Sequence, residues 1–280
     1  MTQTLTDITQ LELPDEAASG LETDTTDRVG AQRVTVNLDW WNATLTSLGL
    51  PGSPVVATDG LGRAHTSGTV RLSRADVFAR AKNVDSDSDV LRLLWHTLAW
   101  SSGNRHWLAR QRFGAIAADP GSAARYLRDA ATIAHTDPGA AYATLRHGAI
   151  DEVRYLGPTF FTTFLYFAGQ GLPSHPCVIL DSHVAAALHN RCGWDSLGSG
   201  GGWSADSYQR YCDLIARWAA EQSAARGAAV RRDEIEYWLD HAATAVGGGT
   251  RGSILGRLDA FPPRPYSTVL TTQVARLPVR

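Results

Sequence analysis

Lysine is almost absent from this sequence of 280 residues, because of its 26 basic residues only Lys82 is a lysine. We attribute the bias mainly to a GC-rich genome, which would favour arginine codons. Its chemical consequence is that hardly any side-chain amine is present for Schiff-base catalysis. Cysteine is scarce as well. Three widely spaced cysteines (Cys177, Cys192 and Cys212) are too few for a four-thiolate zinc or iron–sulfur site, and we expect buried free thiols.

Long apolar runs, a secretory leader and metal-binding motifs are also missing. No stretch approaches the roughly 20 apolar residues that cross a bilayer, and the first residues lack a basic region followed by an apolar one. We therefore expect a cytoplasmic protein with no membrane partner. Because the sequence has no HExxH motif and no Cys/His cluster of zinc spacing, we expect no bound metal at such a motif. A monomer is expected.

Charge is unevenly distributed along the chain, although the net charge is only -2. Residues 1–30 hold seven acidic residues and one basic residue, without apolar periodicity, so a disordered acidic tail is expected there. The remaining 250 residues hold 25 basic and 21 acidic residues, which makes this part mildly basic. Residues 31–280 are predicted to form one domain whose charge is compatible with DNA binding.

Helical periodicity dominates from Ser73 onward. A short helix is also predicted at 37–48 with Asn37 as its cap, and residues 50–72, rich in Gly and Pro, predict loops with at most a small β-hairpin. Asp89 is the predicted cap of a helix that ends near Gly103. Further helices are expected near 105–118, 121–134, 138–148, 159–168, 182–191, 206–224 and 232–245. The pattern predicts an all-α fold, with two helical lobes and a small β-hairpin or irregular N-terminal part.

Residues 155–188 are the candidate segment for catalytic chemistry. A tight turn, Leu156-Gly157-Pro158, is predicted between two helical segments, and the start of the second helix favours a phosphate. Asp181 then takes the N-cap position of another helix. A fixed carboxylate stabilises the positive charge that develops on a sugar during glycosidic cleavage, and it can activate water. Taken alone, Asp181 is better explained as a structural helix cap.

The order and spacing of these parts resemble the helix-hairpin-helix DNA glycosylase superfamily, most closely bacterial proteins of the 8-oxoguanine DNA glycosylase fold. Members carry a Leu-Pro-Gly-Val-Gly hairpin and, roughly twenty residues later, Val-Asp-Thr-His-Val with a catalytic Asp. Leu180-Asp181-Ser182-His183-Val184 resembles that second motif. The resemblance implies a cleft near 155–188, double-stranded DNA as partner, Asp181 as catalytic residue and a monovalent cation at the hairpin carbonyls. The implied DNA-binding residues here are Leu156, Gly157, Pro158, Thr159, Thr162, Thr163 and His183.

Two further regions follow from the same resemblance. Ser101-Ser102-Gly103-Asn104 is similar to the segment that enters the duplex and fills the space left by the extruded base, which makes Asn104, Arg105 and Arg110 candidate DNA contacts. A plain polar loop between helices explains this segment equally well. The C-terminal helix of the family helps to close the base pocket. Candidates for that pocket are Phe164, Tyr237 and Trp238.

One departure from the family decides the expected reaction. Members that nick the strand place a lysine near the hairpin, at or near Thr163 here, and this chain has none nearby. The resemblance therefore implies a monofunctional glycosylase that leaves an abasic site. Its substrate is expected to be a hypermodified phage base, such as glucosylated hydroxymethylcytosine in antiviral defence, or an oxidised or damaged purine of the 8-oxoguanine type in repair. A non-catalytic DNA-binding protein and an unrelated helical scaffold are also compatible with the sequence.

Overall fold

The structure, a computed structural model, describes residues 6–21, 25–82, 84–198 and 200–247. The described chain is mostly helical, as the periodicity predicts. Its α-helices are α1 (Asp15–Gly20), α2 (Thr25–Ala31), α3 (Leu38–Ser47), α4 (Arg74–Phe78), α5 (Asp87–Ser102), α6 (Ala109–Ala118), α7 (Pro120–Ile133), α8 (Pro138–Leu145), α9 (Pro158–Ala168), α10 (Ser182–Cys192), α11 (Ala205–Arg226) and α12 (Arg232–Gly247). The all-α fold class is confirmed.

The strands are short and form three antiparallel pairs. They are β1 (Arg33–Asn37), β2 (Ala57–Thr58), β3 (Ala64–His65), β4 (Thr69–Ser73), β5 (Arg146–His147) and β6 (Ile150–Asp151). β1 pairs with β4, and β2 pairs with β3, so the N-terminal part contains the predicted small hairpin together with a longer pair around α3. The β5–β6 pair replaces the last turn of the helix predicted at 138–148.

The chain divides into two units at Ala243 and Thr244. The first unit contains every described element up to Ala243, including residues 232–243 of α12. The second unit runs from Thr244 to Arg280 and, apart from the last residues of α12, lies outside the described residues. The predicted domain at 31–280 and its two helical lobes stay predictions.

Local capping explains where the helices near the site begin. Asn37 accepts a hydrogen bond from the Trp40 amide at the start of α3, as predicted. Ser73 and Asp76 form a reciprocal capping box on α4, which satisfies two backbone donors. α5 begins earlier than predicted, because Ser86 caps it through the Asp89 amide and Asp89 itself lies in the first turn. Short polar side chains that accept hydrogen bonds from backbone amides therefore determine where these helices begin.

The acidic N-terminal segment is ordered in the described residues 6–21, contrary to the predicted disorder. It contains a 3-10 helix (Ile8–Gln10) and α1, and Leu11 and Leu21 are buried. Three arginines of α11 explain this order, because their guanidinium groups donate to backbone carbonyls of the segment. They are Arg210, Arg217 and Arg226, and their acceptors include the carbonyls of Thr6, Leu11 and Ala18.

The core lies between the helices and is rich in aromatic side chains, with Trp41, Trp95, Trp194 and Trp218 fully buried. Cys177, Cys192 and Cys212 are buried free thiols, as predicted. Within the described residues, no helix combines the length and apolarity needed to cross a membrane.

Candidate active site

Asp181 lies at the N-cap of α10, where the sequence places it. Its backbone is extended, with φ -124° and ψ -176°, and its Oδ1 accepts hydrogen bonds of 2.9 Å from the amides of both His183 and Val184. The side chain is half-buried. The two amides fix the carboxylate at the positive end of the helix dipole, which interacts favourably with its negative charge. Asp181 therefore has a defined position at the edge of the core.

A clamp of three hydroxyl side chains holds the backbone that leads into Asp181. Tyr208 donates to the Val178 carbonyl at 2.9 Å, and Tyr211 donates to the Ile179 carbonyl at 2.8 Å. Thr162 of α9 donates to the Leu180 carbonyl at 3.0 Å and accepts from the Leu180 amide at 3.2 Å. Both tyrosines are fully buried, and burial raises the pKa of each phenol. We call Thr162, Tyr208 and Tyr211 the hydroxyl clamp.

The hydroxyl clamp changes the role of two predicted DNA contacts. Thr162 and Thr163 are buried in α9, with 0% and 2% exposure, so neither side chain is accessible to a DNA backbone. Thr162 instead positions Leu180, and Thr163 donates to the Thr159 carbonyl inside its own helix at 2.7 Å. The prediction of DNA contact is therefore wrong for both side chains. The sequence offered no signal for the tyrosines of the clamp, because they lie some thirty residues away on α11.

His183 links α10 to α12. Its Nδ1 lies 3.2 Å from Oδ1 of Asp240, and both residues are buried. Asp181, His183 and Asp240 each offer one ligand-type atom within 4.8 Å of the others. The described contacts use Asp181 for the helix amides and His183 for Asp240, so a metal ion would compete with an existing hydrogen-bonded arrangement. His183, which was expected to contact DNA, is placed in the interior as a link between the two helices.

A buried ionic cluster anchors α12. Arg74 of α4 is fully buried and donates to Glu236 at 3.1 Å, to Tyr166 at 2.7 Å and to Gln32 at 2.6 Å. Tyr166 in turn donates to Asp233 at 2.9 Å. The surrounding acidic groups raise the pKa of Arg74, and burial raises that of Tyr166. Since Asp240 lies one helical turn beyond Glu236, this cluster fixes the helix that positions it.

The three base-pocket candidates have different surroundings. Phe164 is fully buried in the hydrophobic core, so the prediction that it contacts a base is wrong. Tyr237 is partly exposed, and its ring lies 3.9 Å from that of His241 on the next turn. At 100° per residue, Tyr237 lies about 60° from Asp240 around the axis of α12. Trp238 is also partly exposed but projects from another side of α12 and packs against the core.

The Gly157 turn is followed by a helix but is not preceded by one. α9 begins at Pro158, while the residues before the turn form the β5–β6 pair and two further turns. A Cβ at Gly157 would meet no atom within 4 Å, and within the described residues no side chain caps α9. The start of α9 is therefore accessible to an anion. Leu156 is buried, whereas Gly157, Pro158 and Thr159 are half-exposed and can meet a phosphate.

Arg112 of α6 supplies a positive charge at this turn. Its Nε donates to the Tyr155 carbonyl at 2.9 Å, and its guanidinium lies 3.9 Å from the centre of the Phe160 ring. Burial lowers the pKa of Arg112 to about 10, which leaves it charged at neutral pH. The Gly157 carbonyl is also engaged, by the amide of Phe160 at 2.9 Å. These contacts do not fit the monovalent cation implied by the resemblance.

The expected DNA-entering segment forms the loop between α5 and α6. Asn104 and Arg110 are exposed and Arg105 is half-exposed, which leaves all three accessible to a ligand. Their neighbours Trp107 and Leu108, which lie outside the predicted contacts, are 65% and 37% exposed. An aromatic residue in a short polar loop was the available signal for them.

The lysine needed for strand nicking is absent from the described surroundings of Asp181. Lys82 lies in the turn after α4 and is exposed. At Thr163, where the family would place the amine, the side chain is buried and bonded within α9.

A mostly helical fold that holds a carboxylate at a helix N-terminus, close in sequence to an uncapped glycine turn, is consistent with the helix-hairpin-helix glycosylase superfamily. A family model described as "Putative 8-oxoguanine DNA glycosylase OGG-like protein" matches residues 27–239, and the chain belongs to this family. No curated protein and no solved structure matches the chain. Membership supports a DNA glycosylase as the class of protein and DNA as its partner.

Proposed function

We propose that this protein is a monofunctional DNA glycosylase that uses Asp181 and water to release a modified base. The observation that carries the proposal is the placement of Asp181. Two amides fix its carboxylate, and the hydroxyl clamp holds the backbone segment that precedes it. Membership in an 8-oxoguanine glycosylase-like family supports the same reaction class. A carboxylate held so firmly needs little reorganisation when positive charge develops on the sugar.

In the proposed reaction, the bond between C1′ of the sugar and the base nitrogen breaks, and its electron pair leaves with the base. The Asp181 carboxylate stabilises the cationic sugar and accepts a proton from the attacking water. The water oxygen bonds to C1′, and the DNA retains an abasic site. The released base takes a proton from solvent, and Asp181 returns the proton it accepted to solvent. No amine takes part, so the strand remains intact.

The base enters this site only after leaving the duplex stack, as in other enzymes that modify bases. Tyr237 is the proposed stacking partner, because its ring is partly exposed on the side of α12 that carries Asp240. The start of α9 and Arg112 supply the positive electrostatic potential for a phosphate next to the extruded nucleotide. His183 and Asp240 serve as positioning residues that connect the Asp181 helix with the pocket helix.

Two substrate classes are proposed. The family description favours an oxidised purine of the 8-oxoguanine type. The missing lysine favours a role outside the strand-nicking repair enzymes, such as removal of a hypermodified phage base like glucosylated hydroxymethylcytosine in antiviral defence. A cytoplasmic location and a monomeric state remain predictions that accompany both classes.

The proposal is tested by incubating the protein with duplexes that each carry one modified base, including 8-oxoguanine and glucosylated hydroxymethylcytosine. Released base is identified by mass spectrometry, and abasic sites are scored by strand cleavage in alkali. We expect base release from one class, strand cleavage only after alkali, and no protein–DNA adduct on borohydride treatment. Adduct formation would contradict the monofunctional mechanism, and the absence of base release from every substrate would contradict the proposed activity.

A further inference from the structure

The paired strands β1 and β4 present a positively charged face to solvent. The register places Thr35 opposite Arg71, and Arg33 lies two residues before Thr35 on the same strand. Because successive side chains of a strand alternate between faces, these three residues share one face, and Leu72 is buried on the other. All three are exposed, and neither strand contains an acidic residue. We call this face of β1 and β4 the basic ribbon.

The two arginines of the basic ribbon are diagonal neighbours without a counter-ion. Diagonal positions in an antiparallel pair lie roughly 7–8 Å apart, so the two positive charges repel each other. Within the part of the chain that the structure describes, neither Arg33 nor Arg71 forms an ion pair or a side-chain hydrogen bond. The fold gains no electrostatic stability from this pair, whereas a phosphate bound between the two groups would accept hydrogen bonds from both.

An open groove of about 210 Å³ lies beside the basic ribbon. Arg33 and Arg71 line it from the ribbon, and Asp59 and His65 line it from the β2–β3 hairpin. The Asp59 carboxylate is already engaged, because its Oδ1 accepts from two backbone amides of the hairpin turn at 2.8 and 2.9 Å and its Oδ2 lies 3.0 Å from Nε2 of His65. With two guanidinium groups and one engaged carboxylate, the groove favours an anion.

The basic ribbon is packed against the loop that follows α5. A Cβ at Gly103 would lie 2.9 Å from Cγ1 of Val34 and 3.2 Å from the carbonyl oxygen of Thr35. Gly103 directly precedes Asn104 and Arg105, which are accessible and are predicted DNA contacts. The ribbon and this loop therefore form a continuous surface.

Arg74, the residue after β4, connects the ribbon to α12. Its amide donates to the Gln32 carbonyl at 3.2 Å, and its side chain donates to Oε1 of Gln32 at 2.6 Å and to Glu236 at 3.1 Å. Gln32 directly precedes Arg33, and Glu236 lies one turn before Asp240, about 6 Å along the helix axis. A duplex that engages both the site at α12 and the loop after α5 therefore lies alongside the ribbon.

We propose that the basic ribbon binds the phosphate backbone of the duplex beside the extruded nucleotide, with Arg33 and Arg71 each neutralising one phosphate. The inference rests on the proposed function and adds a DNA-binding surface from the N-terminal strands. DNA is the occupant that fits, because its charge complements the ribbon and because the adjoining loop and helix belong to the proposed DNA site. Phosphate contacts position a protein without reading bases, so the ribbon should bind damaged and undamaged duplexes equally.

The test measures the salt dependence of binding, so it does not depend on catalysis. Each phosphate neutralised on a duplex contributes about 0.9 to the slope of log affinity against log salt concentration. Fluorescence anisotropy is recorded for the full chain with an undamaged duplex and with one that carries a tetrahydrofuran abasic analogue. The double variants are Arg33→Ala with Arg71→Ala, and Arg33→Lys with Arg71→Lys. Arg191→Ala is the matched control, because Arg191 is exposed in the last turn of α10, about 15 Å along that helix from Asp181.

The alanine double variant should have a slope smaller by about 1.8 on both duplexes, so that the affinity advantage of the wild type shrinks about 12-fold between about 50 and 200 mM salt. The lysine double variant and Arg191→Ala should keep the wild-type slope within about 0.5. Thermal unfolding should show no loss of stability in the alanine double variant, because it removes a like-charge pair.

An unchanged slope in the alanine double variant, an effect confined to the abasic duplex, or failure of the wild type to bind either duplex would each overturn the basic ribbon as a DNA surface. The predicted slopes without release of any base would overturn only the proposed function.

Discussion

Thr162 and Thr163 are adjacent in α9 and equally buried, but only Thr162 belongs to the hydroxyl clamp. Replacing Thr162 with valine keeps the shape of the side chain and removes both hydrogen bonds to Leu180. The Leu180 amide, which is fully buried, then lacks this acceptor. A buried donor left unsatisfied costs roughly 1–3 kcal/mol, and Thr162→Val should lower the free energy of unfolding by about that amount.

Thr163→Val is the matched control. It removes a bond to the Thr159 carbonyl, which already serves the helix, and should cost roughly 0.5–1 kcal/mol. The two variants should differ more strongly in catalysis, because Leu180 carries the backbone directly into Asp181. A displacement of about 1 Å at a reacting group lowers rates by roughly 100-fold. We expect a loss of roughly 10-fold to 100-fold for Thr162→Val and little change for Thr163→Val.

Equilibrium unfolding in urea measures the difference in stability between the two valine variants. Single-turnover base release with excess enzyme measures their difference in catalytic rate. Single-turnover conditions separate the chemical step from product release. If the two valine variants lost equal stability and equal activity, the hydroxyl clamp would have no special part in positioning Asp181. If Thr162→Val were destabilised yet fully active, the clamp would serve the fold alone.

Three further predictions follow from other parts of the structure. Glu236→Leu should lower the free energy of unfolding by roughly 3–5 kcal/mol in urea, because it deprives the buried Arg74 of its carboxylate, and Arg74→Met in the same chain should recover part of that loss. Burial lowers the pKa of His96 and of His175 from 6.5 to about 4. As the pH falls, the unfolded chain therefore takes up these protons before the folded chain does. The free energy of unfolding keeps the full contribution of the two histidines above pH 6.5 and falls toward pH 4 by about 1.4 kcal/mol per pH unit for each histidine. His96→Gln should halve the combined contribution of the two histidines to this slope. Because Arg112 occupies the hairpin carbonyl region, base release should be equal in sodium and tetramethylammonium buffers of the same ionic strength. A sodium requirement would show that the cation site exists.

The sequence predicted the helices well, because the residues that start each helix lie next to it in the chain. Asn37, Ser73 and Asp181 each cap a helix through an amide two or three residues away, and such spacing is visible in a sequence. The Asp181 motif was predictable for the same reason. The absence of lysine near Thr163 needed no structure at all.

The contacts that position Asp181 were not predictable, because they join distant segments. Thr162 reaches Leu180 across 18 residues, and Tyr211 reaches Ile179 across 32. Nothing in the local pattern distinguishes Thr162 from Thr163, since both lie on an apolar helix. Only the packing of α9 against the extended segment before Asp181 determines which hydroxyl bonds to Leu180.

Two other differences have physical causes of the same kind. The acidic N-terminal segment has little apolar periodicity, but the arginines of α11 bind its carbonyls and make it part of the fold. The helix predicted at 138–148 ends at Leu145, because Arg146 pairs with Asp151 across β5 and β6. In both cases a long-range or cross-strand partner overrides the local preference.

The central claim is that the charge of Asp181, and not only its capping role, drives base release. Asp181→Asn keeps an oxygen that accepts from the His183 and Val184 amides, and Asn caps helices about as well as Asp, so stability should change by less than about 1 kcal/mol. At about 4 Å from the sugar and an effective dielectric constant near 20, the lost charge is worth about 4 kcal/mol, or roughly 1,000-fold in rate.

The decisive measurement is therefore the single-turnover rate of base release by wild type and Asp181→Asn, with DNA affinity and unfolding measured on the same samples. A glycosylase acting through Asp181 predicts a folded variant that binds DNA normally and releases base roughly 1,000-fold more slowly. A folded variant that retains wild-type base release would show that Asp181 is only a helix cap and would contradict the proposed mechanism.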